Sequence, residues 1–279
     1  MIISGKAMLA GVIGWPVSHS RSPRLHNYWL AHHGVDGAYV PLPVAPENLQ
    51  AAIRALPLLG FAGVNITLPH KEAALAVMDR VTPAARRIGA VNTLVIRDGV
   101  LVGDNTDAFG FLENLRSGAP GWRSEAGPAV VLGAGGAARA VLAALIDVGV
   151  PEIRLVNRTT GRAEKLAAEI FGPIRVLPWA EREAALDGAN LLVNTTVLGM
   201  EGAPPLELAL ERLPRHAVVN DIVYAPLETE LLAAARAGGH TAVDGLGMLL
   251  HQARPGFEAW FGIAPEVTAA LRAFLLQGA

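Results

Sequence analysis

Several stretches of this 279-residue chain set polar side chains at spacings that packing alone does not require. Behind the apolar run MLAGVIGWPV stands SHSRSPRLHN, which crowds Ser18, Ser20 and Ser22 with His19 and His26 where a strand hands over to a helix. GVNITLPHKE places Asn65 and Thr67 at the end of a buried strand, with Lys71 in the first turn of the helix expected to begin near Pro69. VNTLVIRDGVLVGDNTD carries Asn92 and Asp107. A lysine beside an aspartate can give a proton to a carbonyl oxygen and take it back. Hydroxyl and amide donors around such a pair suit a polyhydroxylated substrate. Each group also has an ordinary reading. Ser22 before Pro23 is a good N-cap, Asp107 can cap the helix containing Phe109, and most lysines are surface groups. His19 and His26 are read as packing or hydrogen-bonding histidines.

A further stretch implies a redox partner. VVLGAGGAARAVLAAL spaces Gly133, Gly135 and Ala138 as G-x-G-x-x-A between an apolar strand and an alanine-rich helix, the context of a dinucleotide fingerprint. Glycine lets the backbone approach a pyrophosphate, and the free N–H groups of the helix start face its charge. An NAD site usually carries Asp or Glu about 20 residues further on, accepting from the ribose 2′-hydroxyl. Here the strand EIRLV ends in Asn157-Arg158-Thr159, with Arg162 in the next helical turn. These groups donate to a 2′-phosphate, where a carboxylate would repel it. The alternative is a pair of solvated arginines at a helix start, against the helix dipole. NADP is the expected cofactor.

The elements that must position these groups alternate strand and helix, which favours largely parallel sheets covered by helices. Strands are expected at MLAGVIG, AYVPLPV, GFAGVNIT, PAVVLG, EIRLVN, NLLVN and HAVVND. Helices are expected from Pro23 to His33, over Leu49–Leu56, after Thr82-Pro83 up to Gly89, around Phe109–Leu115, and twice near the C-terminus on either side of Gly262 to Pro265. Asp98-Gly99 signals a two-residue hairpin turn. That turn pairs Arg97 with Val100, sets Asn92 opposite Asn105, and brings Asp107 to the same open end.

Composition narrows the class. Hydrophobic residues make up 52% and charged residues 17%, with a net charge of −2 and no basic block, which argues against nucleic-acid or membrane-surface partners. The chain has no cysteine, so disulfides, cysteine–zinc sites and thiol catalysis are excluded, and no metal site is expected. The N-terminal apolar run lacks a cleavage pattern and reads as a first strand. No segment approaches the ~18 apolar residues of a membrane span. A soluble, cytoplasmic protein is expected.

Taken together, GWPVSHSRSPRLHN, NITLPHK, GAVNT, GDNTDAFGF, GAGGAARA, NRTTGRA, NTTVLGM, DIVYAPLET and DGLGMLLHQA resemble the shikimate dehydrogenase family over nearly the whole chain. The resemblance implies an α/β fold of two domains with the active site in the cleft between them. An N-terminal α/β substrate and catalytic domain with a mostly parallel sheet would comprise residues 1–106 and 243–279. A Rossmann-like NADP-binding domain would comprise residues 107–242. It further implies reversible NADPH-dependent reduction of 3-dehydroshikimate to shikimate, on the way to aromatic amino acids. Lys71 and Asp107 would be the acid–base pair. Ser20 and Ser22 would bind the substrate carboxylate with Tyr224 nearby, while Thr67, Asn92, Asp107 and Gln252 hold ring hydroxyls. The loop Gly133, Ala134, Gly135, Gly136 and Ala137 would wrap the pyrophosphate. Asn157, Arg158, Thr159 and Arg162 would bind the 2′-phosphate end, with Gly245 and Met248 near the nicotinamide. A monomer or homodimer is expected. The competing readings are a quinate/shikimate dehydrogenase with relaxed cofactor use, and a non-catalytic dinucleotide-dependent sensor that would have lost Lys71 and Asp107. A glutamyl-tRNA reductase-like thioester mechanism is removed by the missing cysteine.

Overall fold

The alternation of apolar runs and amphipathic segments resolves into two six-stranded sheets. The computed structural model describes residues 3–277. Residues 1, 2, 278 and 279, at the ends of the expected substrate domain, lie outside the described residues. The chain divides into two units, Met1–Thr106 with Leu250–Ala279, and Asp107–Leu249.

The first unit contains β1 (Met8–Gly14), α1 (Ser22–His32), β2 (Gly37–Pro43), α2 (Leu49–Ala55), β3 (Phe61–Ile66), β4 (Arg80–Val81), α3 (Pro83–Ile88), β5 (Thr93–Arg97) and β6 (Val100–Asp104). Its sheet order is β2-β1-β3-β5-β6-β4. β1 runs parallel to both β2 and β3, while β5 is antiparallel to β3 and to β6. The hairpin register is the expected one, with Arg97 opposite Val100 and Thr93 opposite Asp104. Asp98 and Gly99 both take positive φ, 51° and 77°, as a turn matching the strand twist requires. Thr82 caps α3 by accepting from the Ala85 N–H at 3.2 Å, and Gly89 closes it in the left-handed conformation.

Two local expectations fail here. No α-helix follows Pro69; Lys71 lies in a turn, and a 3-10 helix, Ala73–Val77, comes after it. The cause is tertiary. The Lys71 carbonyl accepts from Val91 N–H at 2.8 Å, so Leu75 N–H turns instead to Glu72 O at 3.2 Å. Ser22 is also not the cap of α1: it is the first helical residue, and the cap position falls on Arg21, without a side-chain bond.

The second unit contains α4 (Asp107–Gly118), β7 (Ala129–Leu132), α5 (Gly136–Asp147), β8 (Ile153–Asn157), α6 (Thr160–Ile170), β9 (Ile174–Pro178), β10 (Leu191–Asn194), β11 (Val218–Asp221), α7 (Glu230–Ala237) and β12 (Thr241–Val243). All five strand pairings are parallel, in the order β12-β11-β10-β7-β8-β9. This is the strand order of a doubly wound dinucleotide fold, with its reversal between β7 and β10. α8 (Leu246–Phe261) starts in this unit, and α9 (Ala269–Leu276) follows in the first. Val243 and Met248 pack with Phe111 and Val141 in the second unit's core. The chain therefore leaves that unit after Leu249 rather than after residue 242. Among the described residues no helix is long and apolar enough to cross a membrane.

His26 sits inside an aromatic cluster of the first unit, its ring stacked on Tyr39 at 4.0 Å and flanked by Trp29, Phe257 and Trp260. It is fully buried, and among the described residues neither ring nitrogen has a hydrogen-bond partner. Burial pushes it from 6.5 down to about 3, with Asn65 nearby opposing the shift. The unfolded chain thus binds a proton here that the folded chain refuses. This contribution to stability is full above the unfolded value and is lost as pH falls toward the folded one. Between pH 7 and pH 5 it amounts to about 2 kcal/mol. His26→Phe should flatten this part of the acid limb when urea midpoints are compared at pH 7 and pH 5; equal slopes would place the acid sensitivity elsewhere.

Candidate active site

The first unit gathers its candidate groups at the carboxyl ends of β1 and β3 and the open end of the hairpin. Ser20, after β1, accepts from the Ser22 N–H at 3.3 Å. The Ser22 hydroxyl is buried against the Tyr39 phenol, which donates to Asn65 Oδ1 at 2.7 Å. Asn65 Nδ2 donates to Asn92 O at 3.1 Å and to Thr93 Oγ1 at 3.2 Å. Thr93 Oγ1 passes the chain on to Asn92 Oδ1 at 2.9 Å. Asn92 is 1% exposed, and its Nδ2 reaches Gln252 Oε1 at 3.3 Å and Thr106 Oγ1 at 3.0 Å. Thr106 donates its hydroxyl to Gln252 O at 2.8 Å and its N–H to Asn92 Oδ1 at 2.9 Å.

A continuous polar chain therefore links Ser22 to Gln252. Of the expected residues, Ser20 meets Ser22, and Asn92 meets Gln252. Thr67 stands directly after β3, its N–H bonded to Ile13 O at 2.9 Å. Half-buried Lys71 follows in its turn, where the bond from Val91 fixes the backbone. Tyr39 and Thr106 escaped the sequence reading. Tyr39 sits in a strand with no motif, and Thr106 was overshadowed by its neighbour Asp107.

In the second unit Asp107 opens α4, a position where the helix dipole favours negative charge, and is 6% exposed. Gly133 follows β7 with φ 101°, and a Cβ there would stand 2.9 Å from both Thr195 Oγ1 and Thr196 Cγ2. The loops after β7 and β10 therefore touch at the strand-order reversal, where open α/β sheets hold ligands. The recess there is lined by Gly133, Ala134 and Gly135, by Asn157, Arg158, Thr159 and Arg162, by Trp179, and by Thr195–Leu198.

Arg158, Thr159 and Arg162 are exposed at this rim, and Asn157 Nδ2 donates to Thr159 O at 2.8 Å to hold the loop. Among the described residues no carboxylate lines the recess, so its donors suit a phosphate rather than a free ribose hydroxyl pair. A Cβ on Gly135 or Gly136 would meet nothing within 4 Å, which leaves open space over the start of α5 for a pyrophosphate. The donors and that space fit NADP. Gly136 and Ala137 are half-buried in the first turn of α5. Trp179 and the Thr195–Leu198 wall were missed by the sequence reading, although polar NTT directly after a buried strand was an available signal.

Half-buried Tyr224 lies beyond β11, and the Gly245 N–H donates to Val223 O at 3.3 Å. A Cβ on Gly245 would lie 2.2 Å from Ile222 O, so backbone packing alone demands glycine there. Met248 is 9% exposed within the core of this unit.

Comparison with known proteins bears on both units. The family profile described as Shikimate dehydrogenase substrate binding domain matches residues 12–94. Shikimate / quinate 5-dehydrogenase matches 122–199, and Shikimate 5'-dehydrogenase C-terminal domain matches 245–273. A protein of Paramagnetospirillum magneticum named Shikimate dehydrogenase (NADP(+)) is 65% identical over 276 residues, covering 99% of this chain and 100% of that one. The structure of shikimate 5-dehydrogenase from Thermus thermophilus with NADP(H) and shikimate superposes with a TM-score of 0.86 at 41% identity, over 97% of this chain and 99% of that one. Quinate dehydrogenase from Corynebacterium glutamicum with NAD gives 0.90 at 34% identity, over 97% and 99%.

The open space over Gly135 gives a test. Its φ of −97° and ψ of −171° are ordinary for any residue, so Gly135→Ala should fold with stability within about 0.5 kcal/mol of the parent. The added methyl would stand where the pyrophosphate approaches, and NADPH affinity should fall at least about tenfold in a fluorescence titration. Undiminished affinity would show that the dinucleotide does not cross this turn.

Proposed function

The chain belongs to the shikimate dehydrogenase family, and we propose that in its reversible NADPH-dependent reduction of 3-dehydroshikimate to shikimate Lys71 and Asp107 form the acid–base pair. It is an NADP-dependent oxidoreductase acting on a CH–OH group, in the supply of aromatic amino acids. The observation that carries the cofactor half is the recess at the strand-order reversal, lined with donors and no carboxylate.

NADPH, when bound, supplies the hydride for the carbonyl carbon. Lys71 gives a proton from Nζ to the carbonyl oxygen as the alcohol forms, and takes it back in the reverse direction. Asp107, as a carboxylate, holds the ammonium and orients a ring hydroxyl. Ser20 and Ser22 hold the substrate carboxylate, with Tyr224 beside it. Thr67, Asn92 and Gln252 take ring hydroxyls; Asn92 is suited to this because its amide is fixed by Thr106 and Thr93. Gly133, Ala134, Gly135, Gly136 and Ala137 approach the pyrophosphate. Asn157, Arg158, Thr159 and Arg162 meet the 2′-phosphate, with Gly245 and Met248 toward the nicotinamide. A cytoplasmic enzyme, monomeric or homodimeric, without nucleic-acid or membrane partners, completes this reading. The net charge of −2, with no basic block, supports it.

Initial rates with shikimate or quinate, each with NADP or NAD, test the whole reading. Turnover confined to shikimate with NADP is expected, whereas comparable quinate or NAD rates would favour the broader enzyme. Binding without any turnover would favour the sensor. Lys71→Met should lower kcat by roughly a hundredfold or more with a much smaller change in shikimate affinity; unchanged kcat would remove Lys71 from proton transfer. Arg158→Ala should raise the KM for NADP about tenfold while leaving NAD within about twofold. Equal losses with both cofactors would contradict the 2′-phosphate contact.

A further inference from the structure

Asp221, the last residue of β11, is fully buried and carries an unusual set of partners. Its Oδ1 accepts from Asn194 Nδ2 at 3.0 Å and from the Val223 N–H at 3.0 Å, and its Oδ2 accepts from the Thr229 hydroxyl at 2.8 Å. All three are donors, and no basic side chain is among them. Burial pushes this carboxyl up to about 6, against the opposing pull of Val223, Thr229 and Asn194.

Asn194 is likewise fully buried, and its amide is used on both sides. Nδ2 donates to Asp221 and to Leu198 O at 3.1 Å. Oδ1 accepts from the Thr196 N–H at 3.0 Å and the Thr196 hydroxyl at 2.7 Å, and Thr196 Oγ1 accepts in turn from the Leu198 N–H at 3.0 Å. An amide has two nearly isosteric ends, and only its partners decide which way it faces. An ionised carboxylate accepts and never donates, so it admits only the NH2 end of Asn194. The carbonyl end is thereby committed to Thr196, which lines the cofactor recess with Thr195, Val197 and Leu198.

We propose that Asp221 is a positioning residue for the NADP site: its carboxylate fixes the direction of the Asn194 amide, and through it the Thr195–Leu198 wall of the recess. Neither Asp221 nor Asn194 lines the recess, so their effect on the cofactor is transmitted. The Thr229 bond on the other oxygen serves a different end. Thr229 caps α7 by accepting from the Leu232 N–H at 3.3 Å, so that arm of the carboxylate secures a helix rather than the cofactor wall.

The inference rests on the reading of the recess as the NADP site, and the two arms of the carboxylate separate it from general loosening. NADPH affinity is measured by fluorescence titration, and KM for NADP and for shikimate by initial rates, for the parent, Asp221→Leu and Thr229→Val. Asp221→Leu, which fills a similar space but offers Asn194 no acceptor, should weaken NADPH about tenfold and raise the KM for NADP more than that for shikimate. Thr229→Val should lower the melting temperature yet leave NADPH affinity within about twofold. Asn194→Ala reads the same link from its other end, and should weaken NADPH as Asp221→Leu does even if the latter folds poorly. Unchanged NADPH affinity in Asn194→Ala, or in a folded Asp221→Leu, would overturn the proposal. So would an equal loss in Thr229→Val, which would reduce it to stability. A parent protein that fails to bind NADPH would instead sink the cofactor reading, and this inference with it.

Discussion

A buried primary amide must fill both its donor and its acceptor positions, and this constraint shapes the loops of each unit. Asn92 in the first unit and Asn194 in the second are each almost completely buried, and each uses both ends of its amide. Leaving one such group unpaired costs about 1–3 kcal/mol, a large share of the marginal stability of a folded domain. The surrounding loops are therefore not free to choose their conformation. Thr106 must return to Asn92, and Thr196 must return to Asn194. The amides are structural in energetic origin and functional in consequence, because the loops they hold carry the groups expected to meet ligands.

The same logic explains which elements are regular and which are not. The segment after β3 gives up an α-helix because Val91 claims the Lys71 carbonyl, and the lysine is held by a tertiary bond instead of a helical one. A side chain in such a turn takes its position from the strands behind it. In the second unit, Gly245 packs so closely on Ile222 that its neighbours Asp244 and Leu246 have little latitude. Asp244 then uses its carboxylate to accept from the Leu246 N–H at 3.0 Å, at the start of α8.

Local chemistry was the legible part of the sequence. The Asp98-Gly99 turn set the hairpin register, Thr82 and Gly89 bounded α3, and the glycine spacing after β7 located the turn from that strand into α5. Three strands carried too little signal. β4 has two residues, β12 has three, and β9 is half-exposed; all three lie at sheet edges, where alternation is weak. The helix expected at Lys71 failed because its competitor, Val91, is remote in sequence. Asp221 was invisible for a similar reason. Its partners come from the end of β10, the start of the next loop and the cap of α7, and only the folded sheet brings them to one carboxylate.

The discontinuity of the first unit has a consequence for the order in which the protein is made. The second unit is one uninterrupted stretch, Asp107–Leu249, and can complete its core as soon as that stretch is available. The first unit begins earlier but must wait for the last residues. The Trp260 indole donates to Leu94 O at 3.0 Å across 166 positions, and the Trp29 indole donates to Glu266 O at 3.1 Å across 237. Until α8 emerges from the ribosome, Trp29, Tyr39 and His26 lack the Phe257 and Trp260 rings that cover them. The half of the chain translated first is thus the half finished last, and its incomplete apolar face is the surface that a chaperone would meet.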